Sequence, residues 1–230
     1  DIFVIRNLNA SVLDESVREF ASLIGRAQII ILPGGFSGGD EPDGSAKFIT
    51  SFFRNPLVAE ATREMLYKRD GLMLGICNGF QALVKLGLLP FGEIRPMDEN
   101  CPTLTFNTIG RHQSRYVLTR VASVKSPWLA LSSVGDIHAV PVSHGEGRFV
   151  APESVLQSLR TNGQIAFQYV DSNGEPSMDI EYNPNGSVDA IEGILSPDGR
   201  ILGKMGHSER RGDFVAKNIP SNKNQPIFAA

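Results

Sequence analysis

The chain has 230 residues, 22 basic against 25 acidic, two cysteines and four histidines. That size is read as one α/β domain with a substantial core, and the near-balanced charge gives no electrostatic case for nucleic acid or an anionic membrane. No apolar run approaches the roughly 20 residues needed to span a bilayer, and two cysteines allow one disulfide at most, so a reduced, cytoplasmic setting is expected.

Residues 2–6 (IFVIR) and 28–32 (QIIIL) read as buried strands, with a helical stretch near Asp14–Ile24 between them. A glycine-rich loop, PGGFSGGDEPDG (33–44), follows, then helical patterns at Ser45–Phe53 and Pro56–Lys68. Leu72–Ile76 is a short continuous apolar run, the signature of a strand buried on both faces. From Asn78 onward Phe80, Leu83, Val84, Leu86 and Leu88 fall near a 3.6-residue period, with Gly87 and Pro90 as stop signals. Strands alternating with helices argue a parallel sheet covered on both faces. Beyond Pro90 the pattern changes. Leu104–Asn107, Tyr116–Ala122, Ala139–Ser143, Gly147–Val150, Ile165–Tyr169 and Ala190–Leu195 look like strands joined by turns, some of them antiparallel. A short helix is expected at Pro152–Leu159 with proline in its first turn, and Trp128 is expected to anchor another in the core.

Cys77 sits where strand becomes helix, in Gly75-Ile76-Cys77-Asn78-Gly79. This is the spacing of a nucleophile elbow, G-x-S-x-G with cysteine for serine. A helix N-terminus favours negative charge, so a depressed thiol pKa is expected there. In GKMGHSERRG, His207 and Glu209 lie two apart after an expected strand, Arg200–Met205. Extended chain would put both on one side, Glu209 orienting an imidazole that faces the thiol; the same spacing also suits a surface turn. Backbone N–H groups of the loop at Gly34–Gly39 could form an oxyanion hole with that of Asn78, or the loop could be a plain crossover. Neither GxxxxGK[ST] nor GxGxxG is present, so no common phosphate loop is expected. Metal ligation is not expected either, without CxxC or HExxH; His144 and Glu146 in SHGEGRF read as loop structure, and Cys101 as an ordinary thiol.

Five ordered blocks, LPGGFSGGD, GICNGFQALVKLGLLP, PTLTFNTIGRHQSRYV, SHGEGRF and GKMGHSER, resemble the class I glutamine amidotransferase domain of phosphoribosylformylglycinamidine synthase. The resemblance spans nearly the whole chain and implies a flavodoxin-like, mostly parallel sheet with helices on both faces. It also implies a triad of Cys77, His207 and Glu209, and an oxyanion hole from Gly35 and Asn78. Gln81 and the Ser143-His144-Gly145 loop would bind glutamine. The domain itself would need no cofactor; ammonia would pass to a synthetase, fused or separate, that uses ATP and Mg²⁺. Two departures stand out. Gly38 replaces an aromatic residue common in the family, which implies a looser loop. The family domain also opens with a strand, turn and helix ahead of the segment beginning at Asp1, so residues 1–230 are read as a C-terminal piece of a longer chain. Other readings are a different cysteine hydrolase of this fold, of γ-glutamyl hydrolase type, or a non-catalytic regulatory module. The basic segment Gly110–Val117 could contribute to a partner surface or be a solvated strand edge.

Overall fold

The computed structural model describes residues 2–35 and 45–230. The reading of Gly38, and most of the glycine-rich loop with it, lies outside the described residues.

The core element is a seven-stranded sheet. Its strands, in chain order, are β1 (Ile29–Leu32), β2 (Leu72–Ile76), β4 (Gln113–Val121), β5 (Ile137–His144), β7 (Ile165–Tyr169), β8 (Ile191–Leu195) and β9 (Ile201–Lys204). They are arranged β1-β2-β9-β8-β7-β4-β5. β1, β2 and β9 run parallel, and every pairing from β9 to β5 is antiparallel, the change of pattern expected beyond Pro90. A separate antiparallel pair joins β3 (Thr103–Thr105) to β6 (Arg148–Val150).

Successive strand residues face opposite sides of a sheet. Met73 and Leu74 of β2 are both fully buried, as are Leu202 of β9 and its neighbours, so the centre of the sheet is covered on both faces. Helix α4 (Asn78–Leu86) lies against β1, β2 and β9, and every residue of it except Lys85 is buried. Its left-handed Gly87 ends it, and the single turn α5 (Leu88–Phe91) follows. α1 (Ala10–Ile24) packs beside α3 (Pro56–Lys68), and the short α2 (Lys47–Phe53) bridges α3 and α4. Trp128 is buried as expected, its Nε1–H donating to the Arg200 carbonyl.

Four expectations need correction. Residues 2–6 form no strand: Ser16 exchanges hydrogen bonds with the Arg6 backbone, Phe3 stacks on Phe20 at 5.0 Å, and Ile2 and Val4 are exposed. An apolar run becomes a strand only where a sheet edge pairs it, and no described strand pairs this one. β1 is not buried throughout: Ile30 and Leu32 are, but Ile29 and Ile31 are 51% and 45% exposed. α1 starts four residues early, because the Asn9 side chain accepts from the Val12 N–H and caps it. Pro152, expected in the first turn of α6 (Glu153–Thr161), instead occupies its N-cap. Among the described residues no helix is long and apolar enough to cross a membrane.

Candidate active site

β2 delivers Cys77 to the site at φ 52°, ψ −107°, a conformation L-residues rarely adopt. Such strain costs on the order of 1–3 kcal/mol and persists where the surroundings over-determine it. Here they do. The Cys77 N–H donates to the Lys204 carbonyl (2.8 Å), the Gln81 N–H to the Cys77 carbonyl (3.0 Å). A side chain at Gly79 would lie 2.0 Å from the Leu32 carbonyl oxygen, so the glycine lets α4 start hard against the end of β1. The elbow spacing is thus a steric requirement of this strand-to-helix turn.

The thiol is 7% exposed and 3.9 Å from the Ser143 carbonyl oxygen. Burial pushes its pKa up to about 11, against the expected depression. The Asn78 and Gly35 N–H groups and the Arg210 charge do pull it down, but desolvation outweighs them. The N–H group at the start of α4 acts in the expected direction, but the thiol pKa is raised, not depressed, because burial is the larger effect. The backbone N–H groups of Gly35 and Asn78 thus lie close enough to the sulfur to favour its thiolate.

His207 follows β9 and is 2% exposed. Its N–H donates to the Pro141 carbonyl (2.8 Å), and its Nδ1 lies 2.6 Å from Glu209 Oε1. Glu209 does not reach it along extended chain: residues 207–211 form a turn in which the Arg210 N–H donates to the His207 carbonyl. The pair is real, the route differs. Burial would raise the Glu209 pKa, but the hydrogen bond to His207 and nearby positive charge hold it below the usual carboxylate value. An ionised Glu209 can only accept, so Nδ1 carries the proton and Nε2 presents a lone pair. That Nε2 is buried with no hydrogen-bond partner among the described residues. Gly34 sits between base and nucleophile: a Cβ there would lie 2.7 Å from His207 Cε1 and 3.2 Å from Cys77 Cβ. The glycine keeps the space between imidazole and thiol clear.

The remaining expected residues gather around the end of β5, where Ser143 and His144 close the strand, Gly145 opens the loop after it and Gln81 reaches over from α4. Ser143 offers its carbonyl to the thiol, and its hydroxyl lies 3.2 Å from His112 Nε2. Gly145 accepts from the Asn107 N–H (2.9 Å). Gln81 donates to the Glu146 carbonyl, tying α4 to this loop, and the Glu146 carboxylate accepts from the Ser45 hydroxyl and N–H. His144 turns its ring inward against Gly147, where neither nitrogen has a hydrogen-bond partner among the described residues. Burial, then the nearby His112 and His207, push its pKa down to about 4. It therefore contributes backbone, not ring, to the site. The basic segment Gly110–Val117 runs into β4, an interior strand, and Arg115 is spent on the Ile180 and Glu181 carbonyls.

Sequence reasoning missed Asn107, and took Gly34 only as part of a possible oxyanion loop, not as the residue that keeps the space between base and nucleophile clear. Asn107 is buried, donates to the His144 carbonyl (2.9 Å) and accepts from the Gly147 N–H (3.1 Å), so it holds the 143–147 loop from both ends. It stands in one of the five blocks, but only the fold shows what it grips. Among the described residues no three His, Cys, Asp or Glu side chains are grouped to hold a metal ion.

A buried thiol on an elbow, an imidazole oriented by a carboxylate and two convergent N–H groups define the chemistry of acyl transfer. A family model described as a CobB/CobQ-like glutamine amidotransferase domain matches residues 5–229, and the chain belongs to this family of glutamine amidotransferases. Within the family its relatives include phosphoribosylformylglycinamidine synthase subunits PurQ. That of Aquifex aeolicus is 36% identical over 84% of this chain and 76% of its own length, and that of Chlorobium chlorochromatii 38% identical over 84% and 74%. Among solved structures, the PurLQS complex of Thermotoga maritima contains a chain 27% identical, with TM-score 0.63 over 88% of this chain and 77% of that one. The glutaminase domain of Trypanosoma brucei CTPS, solved with bound acivicin, shares the fold at 16% identity and TM-score 0.50.

Proposed function

We propose that this chain hydrolyses glutamine to glutamate and ammonia, and that the ammonia converts formylglycinamide ribotide to formylglycinamidine ribotide on a synthetase partner. The observation that carries the reading is the buried Nε2 of His207, oriented through Nδ1 by Glu209 and sharing the Gly34 gap with Cys77. The PurQ relatives and the PurLQS complex support the choice of acceptor and of a PurL-type partner.

In this mechanism Cys77 rests as a thiol, because its pKa lies near 11. His207 Nε2 takes the proton as Sγ attacks the side-chain amide carbon of glutamine. The amide oxygen becomes an oxyanion held by the Gly35 and Asn78 N–H groups. Collapse breaks the C–N bond, and the imidazolium returns its proton to the departing ammonia. A γ-glutamyl thioester remains. Water, deprotonated by His207, attacks it through a second oxyanion, and Sγ leaves as thiol with the proton from His207. Gln81 and the Ser143–Gly145 backbone line the side from which the amino-acid end of glutamine would be held. The ATP and Mg²⁺ chemistry belongs to the synthetase, and the setting is cytoplasmic.

The test is peptide mapping of the full-length protein, with its synthetase, after 6-diazo-5-oxonorleucine. One adduct is expected, on Cys77, blocked by free glutamine and absent in Cys77→Ser. In the synthetase assay Cys77→Ser should lose glutamine-dependent product and keep ammonia-dependent product. An unlabelled Cys77 with the partner present would overturn the reading.

A further inference from the structure

Lys204 and Glu192 are both completely buried, on the adjacent strands β9 and β8, with Nζ 3.1 Å from Oε1. Burying such a pair is not a route to stability, since well-packed apolar residues of similar volume are often as good or better. Its value is then to be sought in what the two charges hold. The Lys204 ammonium has three donors; two are placed by hydrogen bonds, on the Gly206 carbonyl (2.9 Å) and on the Ser208 hydroxyl (3.0 Å), and Glu192 faces the ammonium as its ion-pair partner. Glu192 Oε1 in turn accepts the Gly206 N–H at 2.5 Å. Gly206 and Ser208 are the two neighbours of His207. The lysine's own carbonyl accepts the N–H of Cys77 (2.8 Å), so one residue is bonded to the nucleophile's backbone and to both flanks of the imidazole.

The local sequence is shaped around this contact. A Cβ at Gly206 would stand 2.7 Å from Glu192 Oε1 and 3.1 Å from Lys204 Nζ, so the pair reaches the backbone only because that position is glycine. Ser208 passes the connection on, donating to Oε1 of the buried Gln225 near the C-terminus. The ammonium also lies 5.2 Å over the Phe167 ring.

We propose that the Lys204–Glu192 pair is a positioning device for the base: it clamps the Gly206–Ser208 turn so that His207 Nε2 stays aimed at Cys77 while Nδ1 stays on Glu209. This rests on the reading of His207 as the base. Neither charge touches the substrate. The pair acts by removing freedom from the backbone that carries the imidazole, where a misplacement of about 1 Å can cost on the order of 100-fold in rate.

The test compares wild type, E192Q/K204M and S208A in the full-length protein, with glutamine hydrolysis measured in the synthetase complex and the His207 side-chain nitrogens followed by ¹⁵N NMR. The double variant is neutral and close in shape, so its melting temperature should stay within a few degrees of wild type. Its kcat should fall tenfold or more with KM within twofold, and the His207 signals should shift from one tautomer to an average of two. S208A, which removes a single anchor, should show the same changes in smaller measure, and decides the matter if the double variant does not fold. Wild-type kcat, or unchanged His207 tautomer signals in the variant that folds, overturns the proposal. Wild type without glutaminase activity would instead refute the assignment of His207 as base, and the nitrogen signals would still show whether the pair holds the ring.

Discussion

The raised pKa of Cys77 makes a prediction opposite to that of an activated resting thiolate. At about 11 against an ordinary value of 9.0, the shift corresponds to about 2.7 kcal/mol of preference for the thiol. At pH 8 the thiolate fraction is then about one in a thousand instead of about one in ten. The assay is alkylation of the full-length protein by iodoacetamide without glutamine, read by peptide mass at Cys77. Burial slows the absolute rate, so the informative quantity is the inflection, which access does not move. The rate should climb tenfold per pH unit from 7 through 10 without levelling. Glutamine analogues, which engage the oxyanion donors and the base together, should label the same thiol far faster at neutral pH. A plateau setting in below pH 8 would refute the reasoning, because it would mean that an imidazolium–thiolate pair outweighs desolvation at rest.

Glu209→Gln replaces an acceptor-only carboxylate with an amide that no longer fixes the tautomer, so kcat for glutamine should fall on the order of 10²–10⁴-fold with little change in melting temperature. Gly34→Ala puts a methyl 2.7 Å from His207 Cε1 and 3.2 Å from Cys77 Cβ; loss of kcat at least as large as that of Glu209→Gln is expected, measured beside an unchanged far-ultraviolet dichroism. Asn107→Ala frees the His144 carbonyl and the Gly147 N–H, so KM for glutamine should rise more than kcat falls. His144 is held neutral with a pKa near 4, and the unfolded chain takes up its proton near 6.5. Stability should therefore fall as pH drops from about 6.5 toward 4, by about 3 kcal/mol in all, and urea unfolding of His144→Asn should lack that part of the slope.

The elbow was legible because part of its constraint is local: a Cβ at Gly75 would lie 2.6 Å from the Gly79 carbonyl oxygen, so the tight strand-to-helix turn itself dictates glycine there. Cys77, His207 and Glu209 stood out as a set only through the resemblance of the five ordered blocks, since the spacing of His207 and Glu209 alone suits a surface turn equally well. What escaped was anything fixed by surroundings. The sign of the field at a helix N-terminus can be read from position, but the burial that overrides it at Cys77 depends on Ser143, Gly34 and the 207–211 turn arriving from distant sequence. Ile2–Arg6 reads as a strand by composition, yet composition supplies no partner edge. Nothing in the sequence marks Lys204 and Glu192 for burial, since such residues are almost never fully buried unless paired, and pairing across β8 and β9 has no signature in either strand alone. These failures fall on one place. The nucleophile is desolvated, the base keeps a buried nitrogen without a partner among the described residues, and two charges lie beneath the turn that carries it. Each is a cost to the fold taken singly. Together they describe a site in which the thiol gives up its proton only to a correctly placed acceptor, so that activation waits for the substrate that completes the geometry.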